Sequence, residues 1–144
     1  MPSQQVTAVT KNLNSVSKNW AFAGELAEIG HAFAMGILKP GKNIKFKEIH
    51  VVVPRRKLYN FHEALYKKGY LMNTMNPKRN ILRFKHPGQK RPVVLFVKNV
   101  MPRVTSYKEG NRLVSLSSMP NTSRGVSNMK TFARTIQNLQ NNVN

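Results

Sequence analysis

The sequence predicts an α+β protein of two small modules, and three observations carry that expectation. Apolar residues recur at helical spacing in two internal segments and in one near the carboxy terminus. Between them lie β-branched or alternating runs bounded by turn residues. The loop HPGQKRP, residues 86–92, joins two prolines and a glycine to two cations, marking a boundary between an α-β-α-β-β module and a mostly β module that ends in a helix. The expected division is an amino-terminal extension over residues 1–23, an α/β module over 24–88 and a β-rich module with a polar tail over 89–144.

The elements follow in order. In ELAEIGHAFAMGILKPG, Leu26, Ile29, Phe33 and Ile37 share a helical face, Glu25 and Glu28 suit the positive end of the helix dipole, and Lys39-Pro40-Gly41 stops the helix. Ile49 to Val53 reads as a strand. Pro54 fits a first helical position, Leu58, Phe61 and Leu65 line one face of the helix that follows, and Gly69 suits its left-handed cap. Leu71 to Met75, the turn NPKRN, and Ile81 to Phe84 form a predicted hairpin. After the boundary loop come the strand VVLFV, a strand near Arg103 to Tyr107, a turn at Lys108 to Asn111, and a strand from Leu113 to Ser117. Met129, Phe132, Ile136 and Leu139 predict a last helix capped by Ser127.

Charge is the unusual quantity. The 144 residues hold 24 Lys and Arg against 5 acidic residues, none of them Asp, for a formal net charge of +19. Fifteen of the basic residues lie in 64–144, where Glu109 is the one acid. Self-repulsion on this scale favours a polyanionic partner, nucleic acid first and an anionic membrane surface second. A membrane adaptor ranks last because no strongly basic amphipathic helix is visible, and the apolar runs fall far short of the roughly 20 residues that span a bilayer. The absence of cysteine excludes disulfides and thiolate zinc sites. His31, His50, His62 and His86 are scattered without ligand spacing, and no Gly-rich phosphate loop is present, so neither metal nor cofactor is expected. Catalysis is not expected either, although acid-poor ribonucleases that use His and Lys keep an RNA-processing enzyme, through His50 or His62, as the alternative.

The expected RNA contacts are cationic. Arg55, Arg56 and Lys57 open a predicted helix, where cations oppose the dipole unless a bound phosphate reverses the penalty. Lys78 and Arg79 sit at the hairpin tip, and Lys90 and Arg91 in the boundary loop. Tyr59, Phe61, Tyr66 and Tyr70 offer stacking surfaces, but their interleaving with Leu58 and Leu65 reads better as core. In SSMPNTSRGVSN, residues 117–128, Asn121, Thr122 and Ser123 supply short polar groups, Arg124 a guanidinium, Gly125 close approach, and Ser127 a helix start.

Order and motifs together resemble the small-subunit ribosomal protein eight family. The resemblance rests on VVVPRRKLYNFHEALYKKGYL, on KRPVVLFVKNVMPRV, and on NTSRGV, which is similar to the family's Ser-Thr-Ser-Lys-Gly-Val. It implies a non-catalytic structural protein that binds and stabilises central-domain small-subunit rRNA, with Asn121, Thr122, Ser123, Arg124 and Gly125 gripping an RNA helix. Its partners would be that rRNA and neighbouring small-subunit proteins, with no small-molecule substrate and no membrane. The shortened middle segment MPRVTSYKEGNRLVSL and the high basicity suggest an organellar form, so the expected location is the mitochondrial ribosome, with bacterial or plastid ribosomes as alternatives.

Overall fold

The computed structural model describes residues 4–38, 45–107 and 112–115. Among these residues there are three α-helices and seven strands, so the class is α+β, as predicted. They divide into two compact units. One contains residues 4–21 and 47–101, the other residues 22–38, 45–46, 102–107 and 112–115. No helix of the described residues is long and apolar enough to cross a membrane.

The larger unit is built on β2 (Ile49–Pro54), β3 (Leu71–Asn76), β4 (Ile81–Lys85) and β5 (Val93–Lys98), in the spatial order β3-β4-β5-β2. β2 and β5 run parallel from Ile49↔Val93 to Pro54↔Lys98, while β4 is antiparallel to both β5 and β3. This register sorts the side chains into two faces. Ile49, Val51, Val53, Val93, Leu95, Val97, Leu82 and Phe84 share one face, and all are buried. The His62 ring meets that face edge-on at Phe84, with centroids 5.3 Å apart. His62 comes from α3 (Leu58–Lys67), which buries Phe61 and Leu65 and packs against β2.

Helix α1 (Gln4–Asn14) lies in the segment read from sequence as an extension. Val6, Val9 and Leu13 give it a buried stripe at helical spacing. Two buried amides dock it. Asn12 Nδ2 donates to the Ala64 carbonyl of α3 at 3.1 Å, and Gln5 Nε2 donates to the Arg91 carbonyl at 2.7 Å while Gln5 Oε1 accepts the Arg91 N–H at 3.3 Å. Gln5 thereby bonds both the carbonyl and the N–H of Arg91, and its Nε2 also reaches the Tyr70 hydroxyl at 3.0 Å.

The smaller unit takes in Phe22 and Ala23 of β1 (Ala21–Ala23), which runs parallel to β7 (Arg112–Val114) with Phe22 opposite Leu113, and β7 pairs antiparallel with β6 (Val104–Ser106). α2 (Gly24–Ala34) packs on β7. Gly30 makes that approach close, because a Cβ there would stand 2.7 Å from Leu113 Cδ1. Beside it, buried His31 bridges the Val114 carbonyl at 2.8 Å through Nε2 and the Tyr107 hydroxyl at 2.6 Å through Nδ1. A carbonyl only accepts, so Nε2 carries the proton and Nδ1 accepts from Tyr107. Burial lowers the His31 pKa, against the raising effect of the Val114 bond, and burial raises that of Tyr107, consistent with a neutral ring and an intact donor.

Candidate nucleic-acid interface

Parallel pairing of β2 with β5 places the residues after Pro54 beside those after Lys98. The β3–β4 turn reaches the same end, because Ile81 pairs with Phe96 and the Asn80 carbonyl accepts the Val97 N–H at 2.8 Å. Three loops therefore converge at the carboxyl ends of the parallel strands, the edge where open α/β sheets commonly bind ligands.

Arg55 ties the three together. Its Nε donates to Asn99 Oδ1 and its Nη2 to Asn80 Oδ1, both at 2.7 Å. Asn80 holds a left-handed backbone, φ 57°, which Asn tolerates better than most residues. Two neutral amide oxygens thus fix the guanidinium without cancelling its charge, and further N–H donors are left over for an anion. Arg56, Lys57, Lys78, Arg79 and Lys98 complete the rim. All but the half-exposed Lys57 are exposed, and no carboxylate lies among these residues.

Two of the predicted cation clusters, Arg55 to Lys57 and Lys78 with Arg79, are brought to this one end. Lys90 and Arg91 lie in the β4–β5 connection at the opposite end of the sheet. Asn121, Thr122, Ser123, Arg124, Gly125 and Ser127 lie outside the described residues. The expected first helical turn at Arg55 to Lys57 is instead a separate turn of 3₁₀ helix, with α3 starting at Leu58. Cations at a helix start have no acceptor there, and the Arg55 side chain finds its acceptors across the sheet end. Lys98, Asn80 and Asn99 were missed from sequence. Only the positive-φ preference of an Asn closing a turn hinted at Asn80.

A second constellation sits lower on the same sheet. The register aligns His50, Val94, Arg83 and Thr74 in one row on the face opposite α3. Glu48, just before β2, accepts from His50 Nε2 at 2.9 Å through one oxygen and pairs with the Arg83 guanidinium through the other. The His50 ring tilts against Phe96 at 5.0 Å. Both oxygens of Glu48 are thus already committed.

The fold resembles several solved structures. The Megavirus polyadenylate synthase superposes with a TM-score of 0.50 at 14% identity, over 98% of this chain and 32% of that one. The Cid1 poly(U) polymerase, whose complex with a UTP analogue is among the matches, gives 0.41 at 15% identity over 65% of this chain and 28% of that one. A candidate nucleotidyltransferase from Thermotoga maritima gives 0.40 at 12% identity over 96% and 84%. The chain therefore has a fold like that of part of the Megavirus polyadenylate synthase and spans about a third of that protein's length. No protein-family model and no curated protein matches the sequence.

This fold corrects the reading as a small-subunit ribosomal protein. The segments that carried the resemblance are β2, its Pro54 exit, α3, the Gly69 cap and β5, and a strand-helix-strand order of this kind recurs in unrelated α/β folds. The most specific segment, NTSRGV, lies outside the described residues. The structural role in rRNA assembly, the ribosomal protein partners and the ribosomal character fall with the resemblance. So does the expectation that the protein is not an enzyme and takes no small-molecule substrate, which the likeness of its fold to part of the Megavirus polyadenylate synthase overturns.

Nucleotidyl transfer in general uses metal ions held by convergent carboxylates. Among the described residues no three His, Cys, Asp or Glu side chains stand together to hold one. Glu48 is taken up by Arg83 and His50, and Glu63 stands 3.7 Å from Lys67. The described residues do not fit a two-metal centre. What they offer to a phosphate is fixed positive charge.

Proposed function

We propose that the chain is an RNA-processing protein built on the nucleotidyltransferase fold, and that it holds RNA by its phosphates at the rim around Arg55. The observation that carries this reading is the guanidinium pinned between Asn80 and Asn99, with five further cations around it and no carboxylate among them. A side chain already held in place loses little entropy when it meets a phosphate, and every neutralised phosphate releases counterions. The larger unit as a whole supports the reading, with fifteen Lys and Arg against Glu48 and Glu63 among its described residues. Fluorescence anisotropy with a labelled RNA oligonucleotide tests it. Arg55→Glu should weaken binding by at least about tenfold. Unchanged binding would remove the site.

A second reading rests on the Glu48–His50 pair. A histidine oriented by a carboxylate can take a proton from a hydroxyl, which is the chemistry an RNA-cleaving site would use. Turnover of end-labelled RNA, abolished by both His50→Ala and Glu48→Gln, would support it. Turnover that survives His50→Ala would end it.

A further inference from the structure

We infer that the rim takes single-stranded RNA in preference to duplex, because Tyr59 gives an unpaired base a surface to stack on beside the phosphate-binding cations. The inference rests on the rim reading above and adds the class of strand.

The structure divides the four aromatic residues of this region into two kinds. Phe61 is fully buried and Tyr70 is 5% exposed, so both belong to the core. Tyr59 is 72% exposed. It lies in the first turn of α3, one turn beyond Arg55 and two residues after Lys57, so its ring and the rim cations occupy neighbouring turns of the same stretch. The Glu63 carboxylate one turn further on raises the pKa of its hydroxyl, by hydrogen bonding first and by charge second. Most of the ring is open to solvent. Tyr66, 59% exposed and seven residues along the same helix, lies on the same side but two turns from Tyr59, farther from the cations.

An exposed aromatic ring next to phosphate-binding cations is the arrangement single strands use, with phosphates on the cations and a base on the ring. Bases in an A-form duplex are stacked on each other and present phosphates and hydroxyls instead. The rim cations serve both kinds of RNA. Tyr59 serves only the unpaired one.

The test measures a short labelled oligouridylate and a blunt RNA duplex against the full chain at fixed salt. Tyr59→Ala should weaken the single strand by about tenfold and leave the duplex within about twofold, whereas Arg55→Ala should weaken both. Tyr59→Trp should keep single-strand affinity. Its added indole emission should be quenched on oligonucleotide binding, against a steady background from Trp20, which is fully buried. If Arg55→Ala weakens both RNAs while Tyr59→Ala weakens neither, or weakens both equally, the stacking inference is wrong and the rim stands. If Arg55→Ala changes neither RNA, the rim itself is wrong. Thermal melting of Tyr59→Ala close to wild type confirms that the comparison is made on folded protein.

Discussion

Asn99→Asp isolates charge from structure at the rim. The substitution keeps the shape of the side chain and the oxygen that accepts from Arg55 Nε at 2.7 Å. It replaces a neutral amide with a carboxylate, so the guanidinium stays in place while its charge is cancelled. If all six rim cations meet phosphates of a single strand, at about 0.7 per contact, log K falls against log salt with a slope of about −4. Between about 50 and 200 mM salt the affinity then drops roughly 300-fold. Removing one effective cation should bring the slope to about −3.5 and weaken binding about fivefold near 0.1 M salt. Stability should hold or rise slightly, because an exposed ion pair is worth about 0–1 kcal/mol. Arg55→Gln should match the change in slope but lose stability, by about 1 kcal/mol, with the two bonds to Asn80 and Asn99. Anisotropy titrations at several salt concentrations and urea unfolding give both quantities. Wild-type affinity and slope in Asn99→Asp would refute the claim that Arg55 meets a phosphate.

Other expectations concern the scaffold. Gly69 has φ 94°, and a Cβ there would lie 2.7 Å from His86 Nε2, so Gly69→Ala should cost at least about 1–2 kcal/mol in urea unfolding. Gln5→Leu should destabilise by about 1–3 kcal/mol, because it removes the buried side-chain bonds to the Arg91 carbonyl and N–H and to the Tyr70 hydroxyl. The lowered pKa of His31 means that the unfolded chain binds the proton first. Its contribution is therefore complete above about pH 6.5 and is lost as pH falls towards the folded value, which urea midpoints at a series of pH values will show. Glu28 is the opposite case. Burial first, and Glu25 second, raise its pKa, and among the described residues its buried Oε2 has no hydrogen-bond partner. Ionising it costs the fold stability as pH rises past about 4.5, so Glu28→Gln should stabilise the protein near pH 7 and gain nothing in acid.

The run from α2 to β5 was legible because each element there carries its own local signal. Leu26 and Ile29, then Phe61 and Leu65, mark helix faces, Val51 to Val53 a strand, and Gly69 a cap whose positive φ only glycine adopts freely. Helix α1 was hidden by composition. Val6, Val9 and Leu13 have helical spacing, but the polar residues between them include Gln5 and Asn12, whose burial depends on carbonyls of Arg91 and Ala64, far away in sequence. The rim was legible in pieces. The sequence marks Arg55 to Lys57 and Lys78 with Arg79 as basic, but only the parallel register of β2 and β5 brings them together and adds Lys98, Asn80 and Asn99. Charge along a chain is visible, while its convergence is a property of topology. The same limit explains the ribosomal misreading, since local α/β grammar is shared by folds that differ in how the strands are ordered.

The most direct measurement compares equal charge reversals at the two ends of the larger sheet. Lys57→Glu with Lys78→Glu alters the rim, and Lys85→Glu with Lys90→Glu alters the opposite end. A six-residue strand separates them by about 17–20 Å, beyond the screening length of about 8 Å at physiological salt. With single-stranded RNA under those conditions, the rim pair should lower affinity by at least about tenfold and the other pair by no more than about threefold. Equal losses from the two pairs would mean that RNA answers only to net charge, and the rim would not be its binding site.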